Sequence, residues 1–208
     1  MKVTPRTIVP SLARRVRSVL RRLRGRFKPY YAGYVTVYVR ERLLPRRESL
    51  VLNLGCGEHR VEGAVNIDRR NTPAADVVCT VTRLPYRKAS VRRIESYHVL
   101  EHLPRAIAER ALHHWFALLE PGGTLVLECP DFDSAVREYL SGNDGRLGNI
   151  FGLQRFPGDF HLWGWNARRL ARTLLEIGFV DVEQPPATDY HTLSEPCLRI
   201  EGVKPSDA

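Results

Sequence analysis

Val51-Leu52-Asn53-Leu54-Gly55-Cys56-Gly57-Glu58, followed by Val65-Asn66-Ile67-Asp68, is the stretch on which the fold turns. An apolar run of strand length runs straight into Gly-x-Gly, where backbone can approach a ligand with no Cβ in the way. Eleven residues beyond Gly57 a second short apolar run ends in a carboxylate. An acid there can accept hydrogen bonds from both hydroxyls of a ribose, as in nucleoside-binding α/β folds. A dinucleotide site would need a third glycine and a helix N-terminus aimed at the pyrophosphate. Here Arg60 holds that third position, and only nine residues, Gly55–Gly63, separate the two runs. That is below the ~10–12 residues of a crossover with a full helix, so a turn or two at most is expected. With no Gly-Lys-Ser/Thr phosphate loop anywhere, the expected ligand is a nucleoside without a pyrophosphate.

Further strands are read at Ser49–Leu54, Ala64–Ile67, Asp76–Val81, Ile94–Val99, Thr124–Cys129, Phe179–Val182 and Leu198–Val203. Helical periodicity runs over Arg105–Leu119 after Pro104, and Pro121-Gly122-Gly123 is its stop and turn. Asn166 caps a helix at Ala167–Ile177 that Gly178 ends, while 131–165 reads as irregular. Strands alternating with helices predict an α/β fold with a mainly parallel, seven-stranded sheet that binds ligands at the strands' carboxyl ends.

The chain of 208 residues is of single-domain size, with 43% apolar residues. Its net charge of +9 is local. Residues 1–28 hold ten Lys and Arg and no acid, whereas the remainder carries 22 basic against 23 acidic groups. The expected organisation is therefore a basic arm, 1–28, ahead of a near-neutral domain, 29–208. Ile8, Leu12, Val16, Leu20 and Leu23 form one apolar stripe on the arm, with arginines on its other faces. A second helical pattern spans Tyr30 to Arg42, closed by Pro45. A basic amphipathic helix suits an anionic membrane surface. RNA phosphates, an organelle transit peptide and docking on the chain's own domain are the alternatives; the stripe favours the membrane over RNA. No stretch approaches the ~20 apolar residues of a membrane span. Cys56, Cys79, Cys129 and Cys197 lack metal or redox spacing, so no metal site is expected there. The expected location is cytoplasmic, against the inner face of the membrane.

Several motifs, taken in order over about residues 49–182, resemble the class I S-adenosylmethionine-dependent methyltransferases. The narrower likeness is to a small bacterial branch, type 11-like, often encoded with cell-surface polysaccharide genes. Leu52-Asn53-Leu54-Gly55-Cys56-Gly57 looks like the family's first motif, with Asn53 where many members have an acid. Asn66-Ile67-Asp68 resembles its ribose-binding strand end, and Leu84-Pro85-Tyr86 its segment after the third strand. Tyr97-His98-Val99-Leu100-Glu101-His102-Leu103 and Leu119-Glu120-Pro121-Gly122-Gly123 resemble the stretches around the fourth and fifth strands; Gly178-Phe179 matches a late Gly-Phe. Thr80 stands where relatives carry an Asp near the adenine, a weaker, uncharged acceptor. Ser90-Val91-Arg92-Arg93 departs from the usual Ser-Phe-Asp.

The resemblance implies S-adenosylmethionine as cofactor. Asn53, Gly55, Cys56, Gly57 and Asp68 would hold it, with Thr80, Val81, Leu84, His98 and Val99 beside them. It also implies methyl transfer by in-line displacement, in which positioning supplies much of the acceleration. A base is needed only for a hydroxyl acceptor, and His102, Asp131 and His161 are the candidates by place and type. His161 lies in the aromatic segment Phe160–Trp165, which can fold over an acceptor. Trp163 and Trp165 suit lid packing as well as sugar stacking, and Asp131-Phe132-Asp133 has too few ligands for a metal and reads as a solvated turn. The implied acceptor is a hydroxyl of a saccharide or glycan intermediate. RNA or a small metabolite is the alternative, and a non-catalytic, cofactor-binding scaffold is the rival outside enzymes. No Asn-Pro-Pro-Tyr-type tetrapeptide follows the fourth strand, which argues against the branch methylating exocyclic base amines.

Overall fold

The computed structural model describes residues 50–206; the arm, the Tyr30–Arg42 helical pattern and Pro45 lie outside these residues. Seven strands form one sheet: β1 (Val51–Leu54), β2 (Val65–Asp68), β3 (Val77–Val78), β4 (Val91–Tyr97), β5 (Leu119–Pro130), β6 (Val180–Glu183) and β7 (Cys197–Val203). The order across the sheet is β3-β2-β1-β4-β5-β7-β6. β1 to β5 run parallel, and β7 runs antiparallel between β5 and β6. β1 lies centrally between β2 and β4, which is why Leu52 and Leu54 are wholly buried and the strand reads as a continuous apolar run.

The helices are α1 (Arg105–Leu118), α2 (Phe132–Leu140), α3 (Leu147–Phe151) and α4 (Ala167–Ile177). Ala108, Ala111, Leu112, Trp115 and Leu118 of α1 are buried at three- and four-residue spacing. The indole of Trp115 donates to the Val81 carbonyl at 2.8 Å, tying α1 to the segment after β3. α4 has the bounds expected from its caps: Asn166 accepts from the Arg169 N–H, and Gly178 takes a left-handed φ of 113°.

Between β1 and β2 there is no helix, only turns. The buried Asn66 organises this crossover. Its side-chain oxygen accepts from the Val61 N–H and from the Asn53 amide, and its own amide donates to the Val61 and Ala64 carbonyls. One amide thus satisfies backbone groups that a helix would otherwise pair among themselves.

Four expectations are corrected. β3 is two residues long rather than Asp76–Val81, because the chain leaves the sheet edge as turns. β4 ends at Tyr97, not Val99, since His98 adopts φ 53°. β5 starts at Leu119, directly after α1, and Pro121-Gly122-Gly123 is an irregularity inside it, where the pairing with β4 shifts register. Residues 131–165 are not irregular throughout. They contain α2 and α3, and Asp131 precedes α2 while Asp133 accepts from the Asn166 amide, so this pair is not a solvated turn.

Candidate active site

At the carboxyl end of β1 the chain turns under the end of β2. The N–H groups of Gly55 and Cys56 both donate to the Ile67 carbonyl, at 2.7 and 3.0 Å. Gly55 has φ 72°, and a Cβ there would come within 2.2 Å of the Val99 side chain. The turn therefore needs glycine on both counts. Asp68 closes the arrangement: its carboxylate accepts from the Gly57 N–H at 2.9 Å and from the Arg70 N–H at 2.7 Å. The Arg70 guanidinium lies 3.5 Å away. Thr72 donates its hydroxyl to the Gly57 carbonyl and fixes the loop from the other side.

Gly55, Cys56, Gly57, Asp68 and Arg70 line a cleft of about 750 Å³. The structure brings Asn53, Gly55, Cys56, Gly57 and Asp68 to its wall, together with Thr80, Val81, His98, Val99 and His102. Burial and the Asp68 carboxylate push the Cys56 thiol up, so it stays protonated and serves as wall rather than nucleophile. The Thr80 hydroxyl lies 2.8 Å from that of Thr82.

Leu84 is placed elsewhere. It is buried in the core, where its N–H donates to the imidazole of His114 on α1, and it does not line the cleft. Asp131 also lies off the cleft, bonded to the Ser134 hydroxyl in the first turn of α2. His161 is not part of the lining, but its ring sits edge-on to His102 with centroids 4.9 Å apart. Trp165 is buried and Trp163 lies between the guanidinium groups of Arg105 and Arg169; both pack.

Past β4, His98 occupies a left-handed backbone conformation that a side-chain-bearing residue takes only when its surroundings hold it there. Its N–H donates to the Glu128 carbonyl, and its ring stacks on His191 at 3.7 Å. Nδ1 lies 3.3 Å from Glu101 and 3.5 Å from Glu195, and Nε2 lies 3.6 Å from the Cys197 sulfur. Burial opposes a charge on this ring, but Cys197 and Glu101 outweigh it and raise His98 to about 10. The ring is cationic at neutral pH, a fixed positive charge at the floor of the cleft.

Three groups of cleft residues lie outside the sequence motifs. Thr188-Asp189-Tyr190-His191 is held over the opening by Glu128 of β5, whose buried carboxylate accepts from the N–H groups of Thr188 and Asp189. Arg155, Phe156 and Asp159 come from the long connection before α4, and Arg69 and Arg70 from the loop after Asp68. A run of Asp, Tyr and His after the prolines of 185–186 was the available hint.

Residues 52–127 match the family model of a methyltransferase domain. That match covers a little over a third of the chain and spans β1 through most of β5. No curated protein matches. Among solved structures, the chain is similar to an S-adenosylmethionine-dependent methyltransferase of Methanosarcina mazei, with a TM-score of 0.54, 15% identity, and 80% of this chain and 97% of that one covered. An S-adenosylmethionine-dependent methyltransferase of Archaeoglobus fulgidus gives 0.53 and 15%, covering 90% and 94%. The 1,6-didemethyltoxoflavin-N1-methyltransferase of Burkholderia thailandensis, solved with its substrate and S-adenosylhomocysteine, gives 0.52 and 15%, covering 98% and 93%. The fold is the Rossmann-like methyltransferase fold.

The Methanosarcina and Archaeoglobus proteins are named as dependent on S-adenosylmethionine, and the cleft of this chain has room for a ligand of small-molecule size. The volume lies within the ~300–1,000 Å³ of small-ligand sites. Each Asp68 oxygen accepts one backbone N–H and keeps lone-pair capacity for a ribose hydroxyl. No described helix is long and apolar enough to cross a membrane.

Proposed function

We propose that the chain is an S-adenosylmethionine-dependent methyltransferase that O-methylates a hydroxyl of a saccharide or glycan intermediate. The observation that carries the methyltransferase reading is the junction of Gly55, Gly57 and Asp68 on one wall of a cleft that His98 and His102 also line. When bound, S-adenosylmethionine supplies the electrophilic methyl group. Asp68 would hold the ribose, the glycines would admit the chain of the cofactor against the backbone, and Thr80 and Val81 would flank the adenine.

The acceptor side rests on two imidazoles. His102 Nδ1 donates to the Phe160 carbonyl at 3.0 Å, and His161 Nδ1 donates to the Asn149 carbonyl at 2.7 Å. Those bonds select the tautomer that leaves each Nε2 lone pair free; that of His102, which lines the cleft, would take an acceptor hydroxyl, with His161 packed edge-on beside it. Tyr190 and Phe156 are half-exposed beside the cleft, Tyr190 against His59 and His191 and Phe156 beneath the guanidinium groups of Arg70 and Arg155, and these arginines suit an anionic sugar. A small metabolite is the second reading, because the same cleft would take a planar heterocycle.

Two substitutions test this. Asp68→Ala is expected to weaken S-adenosylhomocysteine binding by about 1.5–3 kcal/mol, roughly 10- to 150-fold, through loss of charged hydrogen bonds to ribose. His161→Ala is expected to lower turnover at least ~100-fold while cofactor affinity stays within a factor of about three. Methyl transfer assayed against a panel of free and nucleotide-linked sugars reads both. Equal loss of binding and turnover in His161→Ala contradicts its acceptor-side role, and cofactor binding with no transfer to any acceptor class favours a scaffold.

We further propose that residues 1–28 are a membrane-binding arm on the methyltransferase domain, 29–208, keeping it in the cytoplasm at the inner face of an anionic membrane. Full-length protein should co-sediment with anionic vesicles and not neutral ones, and salt should weaken the binding. Replacing Arg14, Arg15 and Arg17 by Glu should abolish it. Binding to RNA with a steep salt dependence, and to no vesicle, would contradict this reading.

A further inference from the structure

We infer that Glu101, His102 and His161 form a binding site for one divalent transition-metal ion, of the zinc or cobalt type. One donor atom from each residue lies within 4.8 Å of the other two. Donors sharing a zinc ion at 2.0–2.2 Å sit ~3.4 Å apart, so side-chain shifts of about 1 Å close the set.

Three further observations point to a cation. The first is Glu101, a carboxylate 3% exposed that His98 faces from one side only, at Oε1, while Oε2 has no partner. An unsatisfied buried carboxylate costs several kcal/mol unless something positive completes it. His98 Nδ1, at 3.3 Å from Oε1, is shared with Glu195 at 3.5 Å, which leaves Oε2 with no protein partner.

The second is the pair of imidazoles. Both donate Nδ1–H to a main-chain carbonyl, Phe160 for His102 and Asn149 for His161. That outer hydrogen bond orients a metal-binding histidine and makes its Nε2 a better ligand. The third is how the site is assembled. The Glu101 carbonyl accepts from the Leu162 N–H at 2.6 Å and from the Trp163 N–H at 3.3 Å. The residue that offers the carboxylate therefore also clamps, through its backbone, the segment that delivers His161.

Two imidazoles and one carboxylate are a borderline donor set that suits zinc, cobalt and iron(II) over magnesium or calcium, and three protein ligands leave a coordination position open. His102 lines the cleft, so that open position borders it. Resting on the methyltransferase reading for this point alone, the ion would bind the acceptor hydroxyl and lower its pKa, so that its proton passes to solvent in the open cleft, the alkoxide oxygen forms the new bond to the methyl carbon, and the breaking carbon–sulfur bond leaves S-adenosylhomocysteine. His102 and His161 would then act on the acceptor through the metal.

The test titrates cobalt(II) into the full-length, chelator-treated protein and follows its visible ligand-field absorption. One ion per chain is expected, without a thiolate charge-transfer band. Affinity should fall by on the order of 100-fold in Glu101→Gln and in His161→Ala, since even losing an outer-shell partner costs 10- to 100-fold. Zinc should raise the melting temperature of the wild type and leave that of His161→Ala unchanged. If Glu101→Gln does not fold, His161→Ala and the wild-type spectrum still decide the matter. No ligand-field band in the wild type, wild-type affinity in His161→Ala, or a charge-transfer band abolished by Cys197→Ser would each overturn the site. The last would place the metal at His98, Glu195 and Cys197 instead. S-adenosylhomocysteine calorimetry on the same samples separates the two readings, because intact cofactor binding without metal binding sinks the metal site alone.

Discussion

Trp115→Ala is expected to destabilise the domain by about 3–5 kcal/mol, the cost of deleting a fully buried indole. Two effects add at this position. The side chain fills the space between α1 and the sheet, so its removal leaves a cavity that only partly collapses. It also donates its indole N–H to the Val81 carbonyl, and that carbonyl would be left without its partner. Because Val81 lines the cleft, cofactor affinity should fall along with stability. Trp115→Phe keeps much of the packing and loses the hydrogen bond, and should cost less than half as much. Urea denaturation of the three proteins checks the ranking. A loss below about 1 kcal/mol in Trp115→Ala would mean that α1 is not fixed to the sheet as described.

Glu128→Ala should cost about 3 kcal/mol and should loosen one wall of the cleft. The Glu128 carboxylate is 1% exposed and accepts from the N–H groups of Thr188 and Asp189, from the Thr188 hydroxyl and from the Arg199 guanidinium at 2.7 Å. Removing it leaves two backbone N–H donors without their acceptor. Arg199 is partly rescued, because it also holds Glu201, and for that reason the expected loss sits at the low end for a broken buried pair. Glu128→Gln retains acceptor capacity for the backbone donors and should fall between. Amide hydrogen exchange reads the local effect: protection at Asp189, Tyr190 and His191 should drop in Glu128→Ala more than in the core of α4. Uniform loss across the domain would contradict the assignment of Glu128 as the anchor of this segment.

The part of the site built from consecutive residues was legible in the sequence. Gly55, Gly57 and Asp68 are placed by two adjacent parallel strands and one short turn, so spacing alone brings them together. α4 was legible for the same reason, since its cap residues Asn166 and Gly178 act within a single helical turn. What was not legible depends on elements distant in sequence. Glu128 reads as an interruption in an apolar strand until β7 and the 188–191 segment fold back onto it. Glu101 sits beside His102 and looks like a helix-start acid, and its burial becomes evident only when residues 161–163 close over it. Leu84 and Asp131 show the opposite error. Each stands near a motif in sequence, yet one is turned toward α1 and the other is bonded within the first turn of α2. α2 escaped detection because it buries only Ala135 and leaves Leu140 exposed, so its apolar spacing carries little contrast.

The turn through Gly55 and Gly57, closed by Asp68, is proposed to bind the nucleoside of S-adenosylmethionine. Calorimetric titration of S-adenosylhomocysteine into the folded wild-type protein tests it most directly. Saturable binding at one site per chain is expected, weakened roughly 10- to 150-fold in Asp68→Ala, which corresponds to about 1.5–3 kcal/mol. No binding to the folded wild type, or binding that Asp68→Ala leaves unchanged, would contradict it.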